Sequence, residues 1–496
     1  MRRVAAVVAT CLALGTVGAT AEARKADTIG SDGVGDSYYP RYGNGGYDVG
    51  HYDIRLQYDP ATDKLWGQTT VLAKATQDLT RFNLDFGLTV DSVTVNGWPA
   101  SHTTASEHEL VITPARKINK GQRITAVVRY EGIPSTVKIN GFTSWKRTAD
   151  GALAVNEPEI ANWWFPSNDH PTDKATYDIS IGVPNGVEAI SNGVQARPPT
   201  PYRPGWTRWS WRSTKPAQTY MAFLAIGQYD ITTDTAPDGK PVLNAISERL
   251  GDSTNAARAS IDQTVEIAGW ASTVFGEYPF EAYGGVAGPL DGIGFALETQ
   301  TRPVYGYRFW TGGSNHYVVT HELAHQWYGD AVALDDWKNI WLHEGFAAYA
   351  EWLYSEHIGE GTAQELFDFN YGRIPATDPF WQVKPGDPGP ENQFAGGVYT
   401  RGAMTLHQLR VTIGDELFFQ LLKDFVADHR YGNSSNADFQ AAAEEISGQD
   451  LEALFDTWLY TPGKPVLEGK AARLADRTPE KPASFDKIVE GEAHAR

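Results

Sequence analysis

The chain has 496 residues, 41% hydrophobic and 12% aromatic with 16 Trp, which excludes a disordered or fibrous protein and allows roughly two to four domains. A formal charge of −19 argues against nucleic acid or an anionic membrane as partner. The only cysteine, Cys11, lies in the extreme N-terminal stretch, so disulfides, cysteine-held zinc and thiol catalysis are excluded from a processed chain.

Met1-Arg2-Arg3 followed by the apolar run Val4 to Thr20 reads as a secretory signal peptide over 1–23, with cleavage after Ala21 or Ala23. The run is too short for a permanent membrane anchor, so a secreted protein is expected. Residues 24–46, rich in Gly, Asp, Ser and Tyr, read as a flexible entry segment. From 47 to 232 the pattern is that of strands. Tyr52, Ile54, Leu56 and Tyr58 alternate with polar residues, as do Phe82, Leu84 and Phe86. Val93 and Val95 run into the turn signal Asn96-Gly97. Further strands are expected at 124–130, 177–183, 207–212 and 219–227, giving an antiparallel β domain.

The texture of 233–467 is helical, with helices expected at 254–275, 314–328, 342–357, 400–412, 415–427, 436–446 and 450–459. Gly-rich turns at 276–310 suggest a small sheet. Residues 468–496 are charged and poor in aromatics, the composition of a disordered tail.

The chemistry concentrates in His321-Glu322-Leu323-Ala324-His325 and in Trp341-Leu342-His343-Glu344-Gly345. Residues four apart share one helix face, so both imidazoles can reach one cation. Glu344, 19 residues beyond His325, suits a second helix packed beside the first and offers the third ligand. Two neutral imidazoles and a carboxylate leave one zinc ion positively charged with an open position. Such a cation brings the pKa of water to about 7, and Glu322 is placed to act as general base. This is a hydrolase constellation.

HELAHQWYGD at 321–330 and WLHEGFAAYAEW at 341–352 resemble the zinc signature of the gluzincin aminopeptidases, the aminopeptidase N family. The resemblance runs from about 45 to 467. It implies an α+β protein, with an antiparallel β-sandwich-like N-terminal domain followed by a thermolysin-like, mainly helical catalytic domain. It also implies one Zn²⁺ and removal of N-terminal residues from peptides. The family's Gly-Ala-Met-Glu-Asn motif corresponds to Phe295-Ala296-Leu297-Glu298-Thr299, of which Ala296 and Glu298 match. Glu298 would bind the substrate's α-ammonium and set the first peptide bond at the metal. Gly292 and Gly294 would let backbone approach the peptide. Asn156-Glu157-Pro158 resembles a second amine-binding segment, with Glu157 as carboxylate and Glu159 as alternative, although Asn162 stands where an arginine is usual. Tyr399, 55 residues after Glu344, matches the family's oxyanion-stabilising tyrosine. His343, beside a ligand but about 100° around a helix from it, is expected to pack behind the metal. The chain is too short for the extra helical domain of larger relatives, so a monomer is expected. Peptides with a free N-terminus are the expected partners. A secreted endopeptidase and a silent binding module of the same fold are the alternatives.

Overall fold

The computed structural model describes residues 28–467 and 480–494. The signal peptide read at 1–23 lies outside the described residues.

The alternation that marks the first strands builds a ten-stranded sheet around the hairpin Tyr47–Asp59 and Lys64–Ala75, with Ile54 opposite Thr69. Tyr52, Ile54, Leu56 and Tyr58 are buried in one core. The Asn96-Gly97 signal closes the hairpin Thr89–Val95 and Trp98–Thr104; both residues have positive φ, 51° and 82°, as a two-residue turn of this hand requires. One pairing departs from the antiparallel expectation. Tyr47–Asp59 runs parallel to Ala175–Pro184, because the chain returns beside its first strand only after an excursion through six other strands of the sheet. A four-stranded sheet adds a second layer, in which the central strands Ala152–Ala154 and Leu224–Gly227 are fully buried.

The second body opens with a five-stranded mixed sheet of Tyr229–Thr235, Pro241–Ser247, Tyr283–Ala287, Val304–Tyr305 and Ala296–Leu297, in that spatial order. The boundary expected at 232 therefore cuts a strand. Pro241–Ser247 was not anticipated, since a short continuous apolar run carries no period that tells strand from helix. Among the described residues ten α-helices follow or intersperse: α1 (Thr254–Ile261), α2 (Thr264–Phe275), α3 (His316–Ala324), α4 (Trp341–Ile358), α5 (Ala363–Arg373), α6 (Gly402–Ile413), α7 (Asp415–His429), α8 (Asn436–Ser447), α9 (Glu452–Phe455) and α10 (Phe485–His494).

Two expectations are corrected. Residues 28–46 are docked rather than loose. Tyr38 donates to Asp387 at 2.6 Å, Ser37 Oγ to Asp336 at 2.6 Å, and the Trp337 amide to Asp36 at 2.8 Å. The Tyr, Asp and Ser content that suggested a loop serves these contacts to the second body. The tail, where described, is not disordered either. α10 buries Ile488 and stacks Phe485 edge-on against Phe369 at 4.6 Å, and the Lys487 carbonyl accepts from Asn315. Two apolar residues three apart suffice to seat one helix face.

The two bodies meet behind the catalytic motif. Lys174 donates to the carbonyls of Asp330, Ala331 and Gly432, and Gln218 to that of Gly329 at 2.6 Å. No helix among the described residues is long and apolar enough to cross a membrane.

Candidate active site

Helix α3 begins at Asn315, whose side chain accepts from the Tyr317 amide at 3.0 Å. It stops at Ala324, one residue short of the second histidine of the motif. His325 is held in the following turn by a 3.1 Å hydrogen bond between Nδ1 and the Tyr328 carbonyl. Gly329, at φ +144°, completes that turn, and a Cβ there would come within 3.2 Å of His325 Nδ1. The glycine thus lets the ring lie where it does.

Glu344 enters from the first turn of α4. Its Oε2 lies 3.3 Å from His321 Nε2 and 3.5 Å from His325 Nε2. The ligand atoms of all three side chains fall within 4.8 Å of one another and are buried. This donor set, two Nε2 atoms and one carboxylate oxygen, fits a zinc ion. Each imidazole is oriented through its other nitrogen, His325 by the Tyr328 carbonyl and His321 by Glu351 Oε1 at 2.6 Å.

Tyr399 arrives on the turn Gly397–Arg401 that precedes α6, its ring stacked over His321 at 5.9 Å. Two glycines permit this approach. A Cβ on Gly402 would lie 2.8 Å from the Gly345 Cα, and one on Gly345 3.0 Å from the Gly402 Cα. Arg401 locks the turn from behind by donating to the carbonyls of Trp381, Val383, Thr457, Trp458 and Thr461.

A cavity of about 230 Å³ opens on the triad, lined also by Glu157, Phe295, Ala296, Glu298, Glu322, Phe394 and Tyr399. Glu298 follows the edge strand Ala296–Leu297 and faces Tyr220 across 3.5 Å. Gln326, directly after the second histidine, fixes it: its amide donates to the Glu298 carbonyl at 2.8 Å and accepts from the Thr301 amide at 2.8 Å. Glu157 reaches the cavity from the first body, whereas Glu159 turns away to Asn162 at 3.1 Å. Gly294 does not line the cavity. A Cβ at that position would meet the Arg308 guanidinium at 3.1 Å, so the space it leaves is filled by Arg308 rather than by a peptide.

Burial dominates the electrostatics. It pushes Glu322 up to about 8 against the opposing imidazoles. It raises Glu157, helped by the charge of Glu298, and raises Glu298 despite His325. Burial would raise Glu344 as well, but hydrogen bonds from His321 and His325 hold it well below the usual carboxylate range. Four carboxylates around one cavity call for compensating positive charge. Glu157 Oε1 is buried without a protein partner. His343 is a surprise of placement. A ring nitrogen lies within 4.8 Å of the Glu157 and Glu298 carboxylates, so it backs the amine-facing side of the cavity.

The Peptidase M1 N-terminal domain matches residues 49–221, and the Peptidase family M1 domain matches 312–458. This chain is a member of peptidase family M1. Its fold is that of an M1 zinc metallopeptidase from Deinococcus radiodurans, at TM-score 0.78 and 28% identity over 88% of this chain and 99% of that one. A variant of that enzyme has been solved with the peptide Tyr-Ser-Ala, and a variant two-domain M1 zinc metallopeptidase with L-arginine. Among curated relatives, aminopeptidase N of Streptomyces lividans is 29% identical over 63% of this chain and 38% of its own length. Glutamyl aminopeptidase of Sus scrofa is 27% identical over 65% and 36%. The chain thus spans little more than a third of these curated relatives.

Sequence reasoning missed Glu351, Gln326 and the structural duty of Arg401 in this M1 chain. Glu351 had a signal, since seven residues after Glu344 is two turns along the same face of α4.

Proposed function

We propose that this protein is a zinc aminopeptidase that hydrolyses the first peptide bond of peptides with a free α-amine. The observation that carries the reading is the shared cavity, which brings a three-ligand metal set, Glu322 and two amine-facing carboxylates together. His321, His325 and Glu344 would hold the ion, which when bound supplies a Lewis-acidic centre with an open position. Glu298 and Glu157 pair with the ammonium group of the substrate and so fix which carbonyl stands beside the metal ligands. A chain running on past this point would leave both carboxylates buried against uncharged backbone, which disfavours internal cleavage. Glu322 takes a proton from the attacking water and returns it to the departing amine. The Tyr399 hydroxyl donates to the oxygen on which negative charge develops. Tyr399 can do so as a neutral phenol because burial raises its pKa well above the usual value. His343 stays behind the carboxylates, its pKa lowered by burial to about 3 and hence uncharged there.

Aminoacyl fluorogenic amides assayed with and without a chelator test this reading. Activity lost to chelation and restored by Zn²⁺ is expected. Turnover indifferent to chelation would refute it. Export is part of the same proposal, and N-terminal sequencing of protein recovered from the medium should begin at residue 22 or 24.

A further inference from the structure

In the sheet of the first body, Phe82–Asp85 pairs with Glu109–Thr113 so that Asp85 stands directly opposite Glu109. Like charges so placed repel, and both residues are buried, at 0% and 5% exposure. His108, 3% exposed, brings its ring to the same point, and the ligand atoms of the three side chains lie within 4.8 Å of one another. Asp85 Oδ1, Glu109 Oε1 and His108 Nε2 all lack a protein hydrogen-bond partner, as do the buried amide oxygens of Asn83 and Asn44 beside them. The other Asp85 oxygen accepts from Asn44 Nδ2 at 2.9 Å and from the Asp169 amide at 2.8 Å, which fixes the carboxylate. A buried carboxylate pair left charged calls for a compensating cation. Carboxylate oxygens and an imidazole nitrogen that converge, buried and unpartnered, are arranged for a cation.

We propose that Asp85, His108 and Glu109 form a second, structural divalent-cation site, independent of the catalytic ion. Two carboxylates with one imidazole are a mixed oxygen and nitrogen set that suits Zn²⁺ or Mn²⁺ better than Ca²⁺. The site is closed by the entry segment: Tyr42 packs edge-on to His108 at 6.0 Å, and Asn44 binds Asp85. Metal there clamps residues 42–44 to the sheet. The same segment goes on to hold Asp336 through Ser37 and Asp387 through Tyr38 in the catalytic body.

Full-length protein, stripped with chelator and dialysed against micromolar Zn²⁺, Mn²⁺ or Ca²⁺, should be counted for metal by plasma mass spectrometry. Wild type should hold two equivalents of Zn²⁺, or Zn²⁺ plus Mn²⁺, and E109Q one, with peptidase turnover retained. H321F, which disables the catalytic ligands, should still hold one equivalent and gain several degrees in unfolding midpoint on adding it. Should E109Q fail to fold, the H321F count decides alone. Wild type that never exceeds one equivalent, E109Q that keeps two, or H321F that holds none would overturn the site. Filling by Ca²⁺ alone would overturn its assignment to Zn²⁺ or Mn²⁺.

Discussion

The metal-facing half of the catalytic cavity is carried by two adjacent helices, α3 and α4, whereas the amine-facing half is assembled from separate loops of both bodies. His321, His325 and Glu344 owe their convergence to spacing along helices, corrected at one turn by Gly329. Glu298 and Glu157 owe theirs to tertiary contacts: Gln326 on one side and docking of the first body on the other. The first half should therefore yield only to changes at the ligands and their supports. The second should yield to loss of single hydrogen bonds far from the reacting bond.

The sharpest contrast is Glu322→Gln, which should keep its metal yet lose ~10²–10⁴ in kcat; turnover near wild type would remove Glu322 from the chemistry. Glu351→Gln loosens the ring of His321 and should weaken zinc binding by ~10–100-fold, read by competition with a chelator. Gln326→Ala attacks the other half. It should leave zinc content unchanged and raise KM for free-amine substrates by roughly tenfold, or about 1.4 kcal/mol, as the two buried hydrogen bonds that fix Glu298 are lost. A fall in kcat at constant KM would instead place Gln326 in the service of the metal half.

The smallest effect concerns the seam between the bodies. Burial lowers Lys174 to about 7, so the unfolded chain binds a proton there that the folded one does not between pH 7 and 10.5. Stability at this site accordingly rises with pH across that window. Neighbouring Asp173 is raised by burial to about 7 and works the other way, losing stability as pH climbs from about 4 to 7. Lys174→Met should flatten the alkaline limb of the unfolding midpoint by a few degrees and leave the acid limb alone.

The same contrast explains what the sequence made legible. The alternation of Tyr52, Ile54, Leu56 and Tyr58 and the Asn96-Gly97 turn announced the first sheet, because strand period and turn chemistry are local. The convergence of His321, His325 and Glu344 was legible for the same reason. The parallel return of Ala175–Pro184 to the first strand was not, since nothing within ten residues encodes which strand becomes its neighbour. Local composition also misled. Residues 28–46 and α10 have the polar character of loose ends, yet Tyr38, Asp36 and Phe485 find partners more than a hundred residues away. Gly294 erred in the opposite sense, because a glycine near a site can make room for a protein side chain as readily as for a ligand.

The measurement that bears most directly on the shared cavity compares one short peptide with its N-acetylated twin, quantifying release of the first residue from each. If Glu298 and Glu157 grip an ammonium group beside the metal ligands, the free peptide is cleaved and the acetylated one is left intact, and Glu298→Ala erodes that preference. Equal cleavage of the two peptides would contradict the account, whatever the metal content.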